Sequence, residues 1–262
     1  MSVGFIDIEW RGQPARIEHE WIGSRRPHAP LLVFLHEGLG SRSMWKDFPQ
    51  RLCEAADCRG LVYSRPGYGQ STPSASQDDF LPDYMHREAW EGLPALMQAL
   101  CVDVPYWLFG HSDGGSIALL HAAHHPERVA GAIVLAPHIV VEELTVQSID
   151  KARIAYLETD MPRRFAKYHA EADAVFWRWN RIWLHPAFRD WSTESELPSI
   201  RCPLLAMQGL DDEYGTLKQI HGIKRVLPQT RLLELPDCGH SGHRDQPERV
   251  IAAATDFIHR HN

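Results

Sequence analysis

Ser112 stands in the run Gly110-His111-Ser112-Asp113-Gly114-Gly115, a Gly-x-Ser-x-Gly pattern. A serine hydroxyl is a weak nucleophile at neutral pH. It attacks a carbonyl only when a base takes its proton and an acid orients that base. Glycines on both sides let a strand turn sharply into a helix and hold the hydroxyl out on a strained backbone. The partners of such a turn come later in the chain in the order acid, then histidine. Gln208-Gly209-Leu210-Asp211-Asp212-Glu213 offers three carboxylates; Asp212 is the expected acid, with Asp211 and then Glu213 as alternatives. Pro236-Asp237-Cys238-Gly239-His240-Ser241-Gly242-His243 offers His240, which Gly239 frees to aim its ring, with His243 as competitor. Developing negative charge on the attacked carbonyl needs preorganised N–H donors. The backbone N–H of Asp113 is one. The second is expected from His36-Glu37-Gly38-Leu39-Gly40, at Gly38 first, with its neighbours Glu37 and Leu39 left open.

These residues must be carried by elements that converge. Residues 5–10 and 15–21 alternate apolar and polar, with Arg11-Gly12-Gln13-Pro14 between them, which predicts an antiparallel hairpin. Short apolar runs without alternation occur at 31–35, 60–63, 106–109, 130–135, 204–207 and 231–235. Such runs predict strands buried on both faces, as in a parallel sheet covered by helices. Helical patterns fall between them at 45–56, 85–100 (with Pro94 as a bend), 116–124 and 246–259, and residues 71–76 read as a polar loop. The fold class is therefore α/β, with a mostly parallel central sheet and helices on both faces. Residues 137–202 break the rhythm, with helical patterns, no strand-like run, and the aromatics Tyr156, Phe165, Tyr168, Phe176, Trp177, Trp179, Trp183, Phe188 and Trp191. This predicts a helical cap inserted into a core made of 1–136 and 203–262.

Composition narrows the partners. Lys and Arg total 27 against 34 Asp and Glu, a net charge of −7, which disfavours nucleic acid and anionic lipid. No apolar run approaches the roughly 18 residues of a membrane span, and the N-terminus lacks a basic stretch leading into an apolar one. A cytoplasmic protein is expected, free of membrane contact, with a homodimer allowed. The cysteines Cys53, Cys58, Cys101, Cys202 and Cys238 fit no zinc module and are expected to be reduced. His121, His124 and His125 share a helix, but no carboxylate completes a metal set at ligand spacing, so no metal is expected.

Together the pieces resemble the capped α/β-hydrolases, the broad superfamily of lipases, esterases and carbon–carbon bond hydrolases. The matching segments are His36-Glu37-Gly38-Leu39-Gly40, Tyr63-Ser64-Arg65-Pro66-Gly67-Tyr68-Gly69-Gln70-Ser71, Gly110-His111-Ser112-Asp113-Gly114-Gly115, Gly209-Leu210-Asp211-Asp212 and Gly239-His240, in family order. Two positions depart. Glu37 replaces the first glycine of the usual His-Gly-x-x-Gly, and Ser64 replaces the usual Asp before Arg65. Ser112 excludes close kinship with relatives that use an Asp nucleophile. The resemblance implies a Ser112–Asp212–His240 triad, acyl transfer without metal or organic cofactor, and a small-molecule substrate. Carboxylic ester hydrolysis is the leading expectation. A carbon–carbon bond hydrolase of a ring-cleavage product, a thioesterase, a lactonase and an aminopeptidase are alternatives, and a non-catalytic binder on the same fold is the contrasting class. Cap aromatics suggest an apolar or aromatic substrate held by Trp179 and Trp183, with Arg178 or Arg181 binding a carboxylate in the carbon–carbon case.

Overall fold

The computed structural model describes residues 3–73 and 81–262; part of the polar run 71–76 lies outside them. β1 (Gly4–Trp10) and β2 (Gln13–Gly23) form the expected hairpin. Its two-residue turn, Arg11-Gly12, has φ of 54° and 72°. Positive φ at both turn residues matches the right-handed twist of the strands it joins. β3 (Leu31–Leu35), β4 (Arg59–Tyr63), β5 (Tyr106–His111), β6 (Val129–Leu135), β7 (Leu204–Gly209) and β8 (Arg231–Leu235) complete a sheet in the order β1-β2-β4-β3-β5-β6-β7-β8. β2 runs antiparallel to β4, and every pair from β4 onward is parallel.

The continuous apolar runs of β3 to β7 work as expected because successive side chains enter opposite cores, whereas β8 is not buried on both faces: at the sheet edge Arg231 and Glu234 are exposed and Leu232 and Leu233 half-buried. Val33, Leu35, Leu108, Ala132, Val134 and Ala206 face one core, which α3 (Leu93–Ala99), α4 (Asp113–His124) and α8 (Lys218–Val226) close with Leu96, Ile117, Leu120 and Ile223. Leu32, Phe34, Trp107, Phe109, Ile133 and Met207 face the other, which α1 (Phe48–Ala56) and α10 (Pro247–His261, after the short α9, Gly242–Asp245) close with Leu52, Ala254 and Phe257.

Two predicted helices are broken by proline. The 45–56 pattern becomes a 3-10 turn, Arg42–Trp45, then Lys46 at φ 57°, then α1 with Pro49 in its first turn. The 85–100 pattern becomes α2 (Tyr84–Arg87), a π turn (Glu88–Gly92) and α3. Pro94 has no N–H to return, and just ahead of it Leu93 N–H reaches back to the carbonyl of Glu88. α4 starts at Asp113, three residues before the predicted start. α8 is not among the expected helices.

Between β6 and β7 lie α5 (Glu143–Glu158), α6 (Met161–Phe165), α7 (Ala172–Leu184) and two short 3-10 turns. Tyr156 of α5 stacks on Phe176 of α7 with ring centroids 3.7 Å apart, and Phe188 packs against Trp183 at 4.9 Å and Trp191 at 5.4 Å. This segment is bonded to the sheet side at several points. His169 Nδ1 accepts Gly69 N–H at 3.0 Å, so its Nε2 carries the proton and donates to Leu39 O at 3.1 Å. Trp183 Nε1–H donates to Tyr84 Oη at 3.1 Å, and Arg178 donates to Gly67 O at 2.9 Å. No helix among the described residues is long and apolar enough to cross a membrane, and all five cysteines are free thiols.

Candidate active site

β5 ends at His111, and α4 begins at Asp113, leaving Ser112 alone in the turn with φ 53° and ψ −121°. That is a conformation an L-residue adopts at a cost of roughly 1–3 kcal/mol, and it persists because neighbours over-determine it. The flanking glycines show how. A Cβ on Gly110 would lie 2.2 Å from Gly114 O, and a Cβ on Gly114 would lie 2.0 Å from Leu35 O. Strand, turn and helix are packed backbone to backbone, and Ser112 N–H is tied to Leu135 O at 3.0 Å.

Asp212 and His240 leave the carboxyl ends of β7 and β8. Cβ-free Gly209 lets these loops touch, since a Cβ there would meet Cys238 O at 2.1 Å. His240 Nδ1 lies 2.9 Å from Asp212 Oδ1. The same oxygen accepts Tyr214 N–H at 2.9 Å and Gly215 N–H at 3.2 Å, and Oδ2 accepts Gln208 Nε2–H at 3.0 Å. Burial, the largest influence on Asp212, disfavours its charge, but the His240 bond and these donors outweigh it and hold the carboxyl below its ordinary value. Burial likewise opposes charge on His240. The hydrogen bond and charge of Asp212, with Glu37 and Glu213 behind it, prevail and raise its pKa.

The alternatives fall elsewhere. Asp211 is exposed. Glu213 accepts the backbone N–H of His240 at 3.1 Å. His243 is buried against Trp45 at 5.0 Å and Phe48 at 5.5 Å. His111 lies behind His240, its Nε2 2.9 Å from His240 O. His121 is locked in the core by Ala89 O and Tyr106 Oη, at 2.7 Å and 2.8 Å.

Ser112 and His240 line one cavity of about 220 Å³ together with Glu37, Gly38, Leu39, Asp113, His138, Thr145, Ile149, Trp179, Trp183, Glu213, Tyr214 and Ser241. A Ser112 Oγ–His240 hydrogen bond is not among those formed between the described residues; in sites of this chemistry that contact often tightens only around substrate. Gly38 and Asp113, the expected oxyanion donors, both line this cavity, and a Cβ on Gly38 would fall 3.0 Å from Asp113 Oδ2 and 2.4 Å from Trp179. His36 steadies this loop. Its Nδ1–H donates to Glu37 O at 2.7 Å, and its Nε2 accepts Arg65 N–H at 3.1 Å. Burial and the charge of Arg65 keep that imidazole neutral. Ser64 Oγ donates to Glu18 at 2.7 Å.

Of the expected substrate contacts, Trp179 and Trp183 line the cavity. Arg178 is not in this lining, and its guanidinium donates to Gly67 O. Arg181 is exposed and also outside the lining. Residue patterns alone missed His138, Tyr214, Thr145 and Ile149. The signal for His138 is its place just beyond the carboxyl end of β6, because ligands gather at the carboxyl ends of parallel strands.

Ser112 in a strained strand-to-helix turn and the bonded Asp212–His240 pair thus lie together at one edge of a doubly covered sheet, an arrangement able to activate a hydroxyl. The alpha/beta hydrolase family profile matches residues 32–253, and the chain belongs to that family. It is 25% identical over 256 residues to the sn-1-specific diacylglycerol lipase of Mus musculus, covering 87% of this chain and 81% of that protein. It is 24% identical over 267 residues to 2-succinyl-6-hydroxy-2,4-cyclohexadiene-1-carboxylate synthase of Enterobacter sp. (strain 638), covering 89% and 93%. Among solved structures, a thermophilic esterase from Thermogutta terrifontis superposes with a TM-score of 0.75 at 22% identity, covering both chains completely.

Proposed function

We propose that this hydrolase cleaves carboxylic esters of small substrates through a Ser112–His240–Asp212 triad, with residues 137–202 as the cap over the site. The observation that carries the reading is the 2.9 Å bond between Asp212 and His240 beside a serine held at φ 53° in the same cavity. His240 takes the Ser112 proton as Oγ attacks the carbonyl carbon. The N–H groups of Gly38 and Asp113 receive the oxyanion, His240 protonates the departing alcohol, and water then repeats the sequence on the acyl-enzyme.

Two features favour this reading over the others. A cavity of about 220 Å³ suits a short acyl ester. Among the described residues the lining contains no Lys or Arg, and residues 74–80, outside the described structure, contain none either. A carbon–carbon hydrolase of a carboxylate-bearing ring-cleavage product would need such a cation, and Arg178 is engaged elsewhere.

The test is hydrolysis of p-nitrophenyl esters of increasing chain length, with Ser112→Ala as control and a fluorophosphonate probe for the nucleophile. Acetate and butyrate turnover that Ser112→Ala abolishes is expected. Labelling without ester turnover moves the reading to amide or carbon–carbon substrates; neither labelling nor turnover moves it to a non-catalytic binder.

A further inference from the structure

The cavity around Ser112 brings two carboxylates and three aromatic rings to one small space. Glu37 and Glu213 line it, and so do Trp179, Trp183 and Tyr214. The Glu213 carboxylate, on a solvent-exposed residue, accepts the backbone N–H of His240 at 3.1 Å and forms no ion pair with a Lys or Arg among the described residues. The Glu37 carboxylate lies 3.6 Å from Arg244, a residue outside the lining whose side chain is 46% exposed, and 3.8 Å from His111 Nδ1, while Arg65 donates to the Glu37 carbonyl at 2.9 Å.

A further polar group opens onto the same space. His138 is 2% exposed, lines the cavity, and its Nδ1 has no hydrogen-bond partner among the described residues. Its position is fixed, because Ser116 Oγ accepts its N–H at 3.0 Å and donates to its carbonyl at 2.7 Å. Its ring packs edge-on to Trp183 at 5.0 Å. Burial, with the nearby His240, brings the imidazole down to about 3, so it does not repel a positive charge.

Carboxylates attract a cation, aromatic faces present negative quadrupoles to it, and a neutral imidazole nitrogen accepts an N–H where the ammonium carries one. We propose that the substrates of this site carry a positively charged nitrogen, an ammonium or quaternary ammonium group, held between Glu37, Glu213 and the rings of Trp179, Trp183 and Tyr214. The inference rests on the ester-hydrolase reading for its kinetic test and is independent of it for its binding test.

The kinetic test compares three esters of one size: acetylcholine, its uncharged carbon isostere 3,3-dimethylbutyl acetate, and anionic 3-acetoxypropanoate. kcat/KM is expected to be about tenfold higher for the cation than for the isostere, and lowest for the anion. The cation-to-isostere ratio should fall toward one in Glu37→Gln and in Glu213→Gln, whatever happens to the absolute rates, and should shrink with added salt. The binding test titrates wild-type protein calorimetrically with choline and with 3,3-dimethylbutan-1-ol, neither of which can be hydrolysed. Tighter binding of choline, lost in the glutamine variants, supports the proposal even if no ester is cleaved. Equal or weaker binding of choline, or an isostere cleaved as fast as the cation, overturns it and leaves the ester reading standing.

Discussion

Asp212→Asn separates the orienting role of this residue from its charge. Tyr214 N–H, Gly215 N–H and His240 Nδ1–H converge on Oδ1, so the amide oxygen of Asn takes that place and the imidazole keeps its orientation. The new NH₂ then meets Gln208 Nε2, which already donates to Oδ2 and to Gly215 O at 2.8 Å. Gln208 Oε1 is buried without a partner among the described residues, and turning that amide over would let it accept the Asn NH₂ at the expense of the Gly215 bond. The fold therefore survives with a loss of about 1–2 kcal/mol. Catalysis loses more. An imidazolium about 4 Å from a carboxylate gains roughly 4 kcal/mol at an effective dielectric constant near 20, and removing it slows acylation about a thousandfold. The pH profile should move too. His240 must be neutral to act as base, and in the wild type its pKa is raised above 6.5, so the acid limb of kcat/KM lies above that value. In Asp212→Asn the main influences raising it are gone and burial remains, so the limb moves to lower pH. Steady-state kinetics on p-nitrophenyl acetate from about pH 5 to 9, with exposed Asp211→Asn as a control expected within twofold, checks both. An Asp212→Asn enzyme within tenfold of wild type with an unmoved limb, or the loss appearing in Asp211→Asn, would refute the assignment.

Other substitutions probe the surroundings. Gly114→Ala would place a Cβ 2.0 Å from Leu35 O, where ordinary contact begins at 3.4 Å, so strand and helix must separate by more than 1 Å at the elbow. About a hundredfold loss of kcat in a folded protein, read by circular dichroism and kinetics together, is expected. Trp179→Ala should enlarge the cavity beside Gly38 and raise kcat/KM for p-nitrophenyl hexanoate relative to acetate; an unchanged ratio would remove Trp179 from the acyl pocket. Glu88 tests burial by itself. Burial raises its carboxyl from 4.5 to about 7, against the charge of Arg65. The unfolded chain loses that proton first as pH rises, so folding stability falls between about pH 4.5 and 7. Glu88→Gln should remove this slope and stabilise the protein at pH 8 by about 3 kcal/mol at most, measured by urea denaturation at both ends of the range.

Much of the site was legible from residue types and spacing because its chemistry is local in sequence. Gly110-His111-Ser112-Asp113-Gly114 encodes a turn whose glycines are demanded by backbone contacts a few residues away. The strands were readable because a strand buried on both faces has to be apolar throughout, and the predicted boundaries missed where Pro49 and Pro94 interrupted helical periodicity. Asp212 and His240 were the expected pair, but only three dimensions separate them from Asp211 and His243. Neighbouring carboxylates differ little as residues, but the β7 and β8 loops bury one beside the imidazole and leave the other in solvent. Arg178 shows the converse. Its sequence position allowed a substrate role, yet packing of α7 turned it to Gly67. Sequence by itself determined the elbow, the order of the chemical groups along the strands and the class of reaction they suit. Only the tertiary structure decided which side chains share the cavity, because burial and direction arise from contacts between segments that are far apart along the chain.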